Sequence, residues 1–139
     1  MLYYYLDMKK INILFLLFLI STYSSSVYAE WKHLITEPNG TRWFLNIGDV
    51  KKIDGYVYLW WLTDWKKPTQ SGDLSAMNHI MCDCKFLKYK YIRFIFFKGQ
   101  LGQDLRSNDE PVEQLKGWQY APPDSAHYIL LKTACAKFL

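Results

Sequence analysis

Residues 74–98, LSAMNHIMCDCKFLKYKYIRFIFFK, contain two strand-like runs that only a short turn separates. The first run covers 74–85, the second covers 89–98, and a turn around Phe86-Leu87-Lys88 would reverse the chain between them. The connection is too short for the crossover that parallel strands need. The stretch therefore predicts two antiparallel neighbours in a sheet and argues against a βαβ unit.

Strand-like runs continue upstream of this hairpin. Three further runs lie at residues 31–36, 42–47 and 56–65. Asn39-Gly40, between the first two, is a hairpin signal because both residues tolerate positive φ. All five runs follow one another without a helical segment, which indicates an antiparallel meander.

The last forty residues differ from this strand pattern. Residues 99–117 show little periodicity and many polar side chains, which predicts a long loop. Asp124-Ser125 then supplies good N-cap residues, and the apolar spacing over 126–138 is helical. The sequence thus predicts an α+β fold, in which an antiparallel meander of five to six strands carries one C-terminal helix on one face.

The strand predicted at 89–98 has apolar side chains on both faces. Simple alternation would place three on one face and four on the other: Ile92, Phe94 and Phe96, against Tyr91, Ile95, Phe97 and Arg93. One helix can cover only one face of a sheet. The long loop, a second subunit or a ligand are the candidates for covering the other.

Cys82, Cys84 and Cys135 are the three cysteines of the chain. Side chains two apart on a strand point to one face, so a helix packed there would bring Cys135 near the pair. A zinc site needs three or four ligands, and His127 is the convenient fourth. His127 lies about 80° around the helix from Cys135, which is a poor shared face.

Two other uses of the cysteines are open. A redox pair usually has C-x-x-C spacing at the start of a helix, whereas Cys82 and Cys84 are two apart on a predicted strand. A disulfide from Cys135 to the sheet would stabilise a small domain, and the spacing alone does not choose between Cys82 and Cys84.

Residues 1–29 have the layout of a secretory signal peptide. Lys9 and Lys10 form a basic n-region, residues 11–20 form an apolar h-region, and Val27 and Ala29 place small side chains at −3 and −1. We expect cleavage after Ala29, which leaves 30–139 as one domain without a stable membrane anchor. Met8 is the expected true start, because residues 1–7 fit no signal-peptide pattern. An uncleaved N-terminal anchor is the alternative.

Composition and motifs argue against catalysis and nucleic-acid binding. His33, His79 and His127 are isolated, and the sequence lacks a nucleophile elbow, an H-E-x-x-H motif and a paired-carboxylate motif. We therefore expect no enzyme, no cofactor and no metal. The formal net charge of +4 is mild and spread along the chain, which does not imply a nucleic-acid partner.

Aromatic content favours a binding function. Residues 30–139 contain 18 aromatic side chains, the type that dominates binding hot spots. Trp65, Lys66 and Lys67 open an exposed connection after a strand. They are the candidate partner-binding residues.

Seven short motifs occur in order along residues 30–137. They are Glu30-Trp31, Asn39-Gly40-Thr41, WWLTDWKKP at 60–68, Asp83-Cys84-Lys85, Phe97-Lys98-Gly99, Trp118 and Thr133-Ala134-Cys135. In this ordered set the chain resembles the surface-adhesin protein E family of Gram-negative bacteria.

The resemblance implies a fold and a role. It implies an antiparallel sheet with a disulfide-tethered C-terminal helix, and position by position that bridge falls on Cys84 and Cys135. Cys82 departs from the family, which usually has an apolar residue there. The studied members bind host matrix proteins and plasminogen and can dimerise. The resemblance thus implies an exported, non-catalytic binding domain with an extracellular protein partner.

Alternatives remain open for the location, the oligomeric state and the function of the chain. The exported chain could act in the periplasm, on the outer cell surface or after secretion, and it could form a homodimer. The alternative function is a periplasmic envelope protein with a structural or enzyme-inhibitory role.

Overall fold

The computed structural model describes residues 29–139, so the predicted signal peptide, apart from Ala29, lies outside the described residues. Within this range the chain forms eight strands and one α-helix. The strands are β1 (Trp31–Thr36), β2 (Arg42–Asn46), β3 (Lys51–Ile53), β4 (Tyr56–Asp64), β5 (Ser75–Asp83), β6 (Lys88–Phe97), β7 (Leu105–Asp109) and β8 (Gln119–Tyr120), and the helix is α1 (Ala126–Ala136).

The strands build one antiparallel sheet. Its main path runs β1-β2-β4-β5-β6-β7, β3 pairs with the start of β4, and β8 pairs with the start of β6. The predicted α+β fold, with an antiparallel meander and one C-terminal helix, is confirmed. The eight strands found in the described range exceed the five to six predicted.

One of the additional strands lies in the predicted long loop. Residues 105–109 (LRSND) form β7 and pair with the end of β6, from Phe94 opposite Asp109 to Phe97 opposite Leu105. β7 is an edge strand with mostly exposed, polar side chains, so it lacks the apolar alternation that marks a half-buried strand. The prediction of a loop was wrong for these residues.

A β-bulge in β6 changes which side chains share a face. His79 pairs with Arg93 but Ile80 pairs with Tyr91, so Ile92 is an extra residue in β6. Tyr91 consequently lies on the same face as Phe94 and Phe96, which oppose Asn78 and Ala76. The alternation predicted for this strand, with Tyr91 on the opposite face from Phe94, was wrong because a bulge resets the period of two.

Helix α1 packs its apolar side on one half of one face of the sheet. Ser125 caps it, because its side chain accepts a hydrogen bond from the Tyr128 amide at 3.2 Å. The helix buries five residues, Ala126, Leu130, Leu131, Ala134 and Cys135. They join a core cluster with sheet residues that include Val57, Leu59, Trp61, Ile80 and Cys82.

A disulfide between Cys84 and Cys135 fixes the end of α1 to the end of β5. Their Cα atoms are 5.7 Å apart, and the bridge closes a separation of 51 residues. A loop of this length corresponds to a stabilisation of about 4 kcal/mol in the chain-entropy model. The pairing with Cys84 is the one that the family resemblance implied.

Cys82 is the remaining thiol in the described part of the chain. It is fully buried, and its Sγ lies 3.8 Å from Sγ of Cys135. Burial, with a smaller contribution from the charge of Asp83, raises the pKa of the Cys82 thiol to about 12. The thiol is therefore protonated at neutral pH and behaves as a small apolar side chain.

Removing the disulfide tests how strongly it stabilises the domain. We expect C84S/C135S to lower the free energy of unfolding in urea by about 4 kcal/mol, because the unfolded chain loses its cross-link. The matched control is C82A, which deletes one buried sulfur and should cost only about 1–2 kcal/mol. An equal loss in C82A and in the double variant would contradict the assignment of the bridge.

Asp73 anchors the connection between β4 and β5 to β7. Its buried carboxylate accepts from Nη2 of Arg106 at 2.8 Å and also from Nε of the same guanidinium, and Nζ of Lys98 is 3.7 Å away. The hydrogen bonds from Arg106 lower the pKa of Asp73, and they outweigh the opposing effect of burial. This ion pair holds the edge strand against the sheet.

The lowered pKa of Asp73 predicts a specific loss of stability in acid. The folded-state pKa is below the unfolded value of about 4, so the pair stabilises fully above that pH and its contribution disappears as the pH falls through the folded pKa. We expect the stability difference between wild type and D73N to be largest at pH 6 and to shrink toward pH 2.5, in urea titrations.

The control for this measurement is D49N, which removes an exposed pair with Lys51 at 2.6 Å. Exposed ion pairs contribute little, so D49N should stay close to wild type at every pH. A D73N difference that is constant from pH 6 to pH 2.5 would show that the Asp73 pKa is not lowered.

Candidate functional site

The face of the sheet opposite α1 carries a row of aromatic and apolar side chains. We call it the open face, and its members come from cross-strand partners on β2, β4, β5 and β6: Phe44, Tyr58, Trp60, Met77, His79, Met81 and Ile95. Each of them is half-buried. A one-sided antiparallel sheet would place polar residues here, so this composition calls for a covering element or a partner.

Loop residues cover the two ends of the open face. At one end a 3-10 turn, Gln100–Gly102, lies against Met77, and the amide of Leu101 donates to Oδ1 of Asp64 at 2.6 Å. At the other end Trp118 packs on Tyr56 with 5.9 Å between ring centroids. The predicted long loop, residues 99–117, thus contributes cover at the first of these ends, and Trp118 lies just after it in the sequence.

No described α-helix packs on the middle of the open face, where the rings are half-buried. There the His79 ring stacks on Trp60 with centroids 4.5 Å apart and an angle of 6° between planes, and Tyr58 is the next ring, at 6.2 Å. Burial lowers the pKa of His79, so the imidazole is neutral at pH 7. Arg93, the cross-strand partner of His79, and Lys90, the partner of Met81, place cations at the rim, and the carboxylate of Asp49 also acts on His79.

A second aromatic surface lies on the helix side of the sheet, beyond the N-terminus of α1. It is a cleft of about 350 Å³, which we call the aromatic cleft. Six aromatic side chains line it: Trp43, Trp61, Trp65, Tyr91, Phe94 and Phe96. The other lining residues are Glu37, Asn39, Thr41, Thr63, Ala76 and Asn78.

The structure separates the three predicted contact residues. Trp65 is half-buried and forms part of the wall of the aromatic cleft, while Lys66 and Lys67 are exposed. The aliphatic stem of Lys66 lies against Gly40 in the hairpin between β1 and β2. Their role in partner binding remains a prediction, and none of the three belongs to the open face.

Sequence reasoning missed the aromatic cleft. Its lining comes from four strands and from the turns that follow β1 and β4, so no single stretch displays it. The one local signal is the hairpin 37–41, whose Glu37 accepts a hydrogen bond from Nε1 of Trp43 at 3.0 Å. That contact brings a carboxylate to the edge of an aromatic strand.

The three histidines are engaged in packing or surface contacts. Nε2 of His33 lies 2.9 Å from the Thr36 hydroxyl, and His79 stacks on Trp60. His127 stacks on Tyr89 at 5.6 Å between centroids, and burial lowers its pKa. These contacts account for the surroundings of all three histidines.

Within residues 29–139, no helix is both long enough and apolar enough to cross a membrane.

An antiparallel sheet with a disulfide-tethered helix and two aromatic surfaces defines a small α+β binding domain. The sequence model of the family described as surface-adhesin protein E matches residues 31–136, and the chain belongs to this family. The resemblance inferred from the seven motifs is confirmed. Membership makes the chain an adhesin-like binding protein of a family whose description implies an exported or surface location.

Solved structures of Haemophilus influenzae protein E share this fold. Crystal form II superposes with a TM-score of 0.62 at 15% identity, covering 82% of this chain and 93% of that one. A further structure of the same protein gives 0.56 at 15% identity, with 82% and 89% covered. Protein E from non-typeable H. influenzae gives 0.53 at 15% identity, with 82% and 80% covered. No curated protein sequence gives a significant match.

The exposure of the open face can be tested with a hydrophobic dye. We expect the native domain to enhance the fluorescence of anilinonaphthalene sulfonate, and W60S to reduce that signal because it removes the central ring. The matched control is Y128S, which removes a half-buried ring on α1, on the other side of the sheet. A larger loss in Y128S than in W60S would contradict this placement of the apolar patch.

Proposed function

We propose that the mature chain is an exported, non-catalytic adhesin-like domain that binds an extracellular or host matrix protein through the open face. Family membership supports an adhesin-like role. The single observation that carries the choice of surface is the half-buried aromatic centre around Trp60 and His79, on a face that α1 does not cover and where a solvated sheet would be polar.

The chemistry of the open face suits a protein partner. Aromatic side chains supply rigid contact area at low entropic cost, and together with arginine they are the residues most enriched in binding hot spots. Arg93 adds a guanidinium beside the stacked rings, and its Nη1 donates to Oδ1 of Asn108 at 2.9 Å, which holds it in place. The loop contacts at both ends leave a bounded central patch.

Export is the part of the proposal that the N-terminal sequence supports. The predicted signal peptide ends at Ala29, and a disulfide such as Cys84–Cys135 persists in an oxidising compartment outside the cytoplasm. Display on the outer surface follows from the adhesin role.

A homodimer that formed through the open face would compete with a protein partner for the same residues.

Trp65, Lys66 and Lys67 are a second proposed contact for the partner. Trp65 lines the aromatic cleft on the helix side of the sheet, Lys66 lies against Gly40 in the neighbouring hairpin, and Lys67 is exposed in the same connection. Because the open face is on the opposite side, the two surfaces can be tested by separate variants.

Binding assays on immobilised extracellular-matrix proteins test the proposal. We expect the purified chain from Glu30 to bind at least one of them, and W60A and R93A each to weaken binding at least about tenfold, the effect of losing one moderate hot spot. The matched controls are Y128A, on α1 at the other side of the sheet, and the double variant K66A/K67A in the exposed connection that follows β4. If W60A binds as wild type while K66A/K67A does not, the partner uses the second contact.

The location has its own test. Protease added to intact cells should remove the domain, because an adhesin must reach its partner outside the cell. Protection of the domain until the outer membrane is breached would contradict the adhesin role, even if the purified chain binds matrix proteins.

A further inference from the structure

The aromatic cleft is a consequence of where α1 begins. His127, in the first turn of the helix, lies against Trp43 and Trp61 with ring centroids 5.0 Å and 5.2 Å away. Beyond His127 the same sheet face continues without cover from α1, and the space above it is the cleft. Its volume of about 350 Å³ lies within the range of small-molecule sites, roughly 300–1,000 Å³.

The aromatic walls are held in place before any ligand arrives. Trp61 is 1% exposed and makes edge contacts with Trp43 at 6.4 Å and with Tyr91 at 5.9 Å. The bulge at Ile92 aligns Tyr91 with Phe94 at 4.8 Å, and Phe96 stacks on Phe94 at 5.8 Å. Binding of a ligand there therefore costs little side-chain conformational entropy.

The cleft is electrostatically suited to a cation. Among its described lining residues, Glu37 is the one carboxylate and none is a lysine or an arginine, and the hydrogen bond from Trp43 fixes that carboxylate beside the rings. The faces of aromatic rings are themselves negative and attract cations. Arg106 stands over Phe96 at 5.1 Å, but its charge is compensated by the buried Asp73.

The polar groups of the cleft also restrict the kind of cation. A primary ammonium brings three donors, and each needs an acceptor once water is removed. Glu37 accepts from Nε1 of Trp43 at 3.0 Å, so a primary ammonium would share this carboxylate with the indole. A trimethylammonium group has no donors and presents methyl groups to the rings.

We propose that the aromatic cleft binds a quaternary alkylammonium group, with its methyl groups against Trp65, Tyr91 and Phe94 and its charge near Glu37. The ligand class is a small trimethylammonium compound of the choline type. The exposed Lys66, which lies against Gly40 beside the cleft, would disfavour a second positive charge on the ligand. This site is on the opposite side of the sheet from the open face and does not depend on the proposed function.

Calorimetric titration with choline tests this inference, and 3,3-dimethyl-1-butanol is the matched neutral ligand of the same shape. We expect choline to bind and the neutral alcohol to bind at least about tenfold more weakly, because it lacks the charge that the rings and Glu37 attract. Equal binding of the two would overturn the proposal, because the cleft would then recognise the apolar shape of the ligand and not its charge. So would tighter binding of n-butylammonium than of choline, or no heat of binding with 50 mM choline.

Variants locate the bound group. E37Q keeps an acceptor for Nε1 of Trp43 and removes the charge, so it should weaken choline about 3- to 30-fold while leaving the weak binding of the neutral alcohol unchanged. F94A should weaken both ligands. W60A, on the open face, should change neither, and a loss of choline binding in W60A equal to that in F94A would overturn the location. Circular dichroism verifies that each variant is folded.

Discussion

The bridge between Cys84 and Cys135 is the constraint on which the surfaces of this protein depend. It fixes the last turn of α1 to the end of β5, an interior strand of the sheet. From there 11 residues of helix reach only part of the way across, and the capped N-terminus stops at Ser125. The helix therefore covers one half of one face. The uncovered half of that face becomes the aromatic cleft, and the opposite face has no described helix to cover it.

The bulge at Ile92 is the second determinant of the cleft. In an unbroken strand Tyr91 would face away from Phe94, and the aromatic wall would be split between the two sides of the sheet. The extra residue resets the alternation, so Tyr91, Phe94 and Phe96 line one side while Arg93 and Ile95 keep the other. A local irregularity thus concentrates aromatic rings on the side where the helix leaves space.

The sequence predicted the parts of the fold that have a local signature. The five strong strands and the helix lie within two residues of their predicted bounds at most ends, because alternation, turn residues and an N-cap mark them. The prediction missed β3, β7 and β8, because these strands are short or exposed. They are strands only because they pair with a longer neighbour, and their own sequences carry no strand pattern. The choice of Cys84 over Cys82 needed the family resemblance. Both sulfurs lie near Cys135, and spacing carries no information about which of them bonds.

The two surfaces share a strand, yet they differ in charge and can be changed independently. In β4, Trp60 points to the open face and Trp61 points to the helix side, so adjacent residues serve opposite sides of the sheet. The open face is bordered by Lys90 and Arg93, whereas the cleft contains Glu37. A partner attracted by one surface is therefore not attracted by the same chemistry to the other. Trp61 is fully buried on the helix side, so substitutions at the half-buried ring of Trp60 leave the wall of the cleft in place.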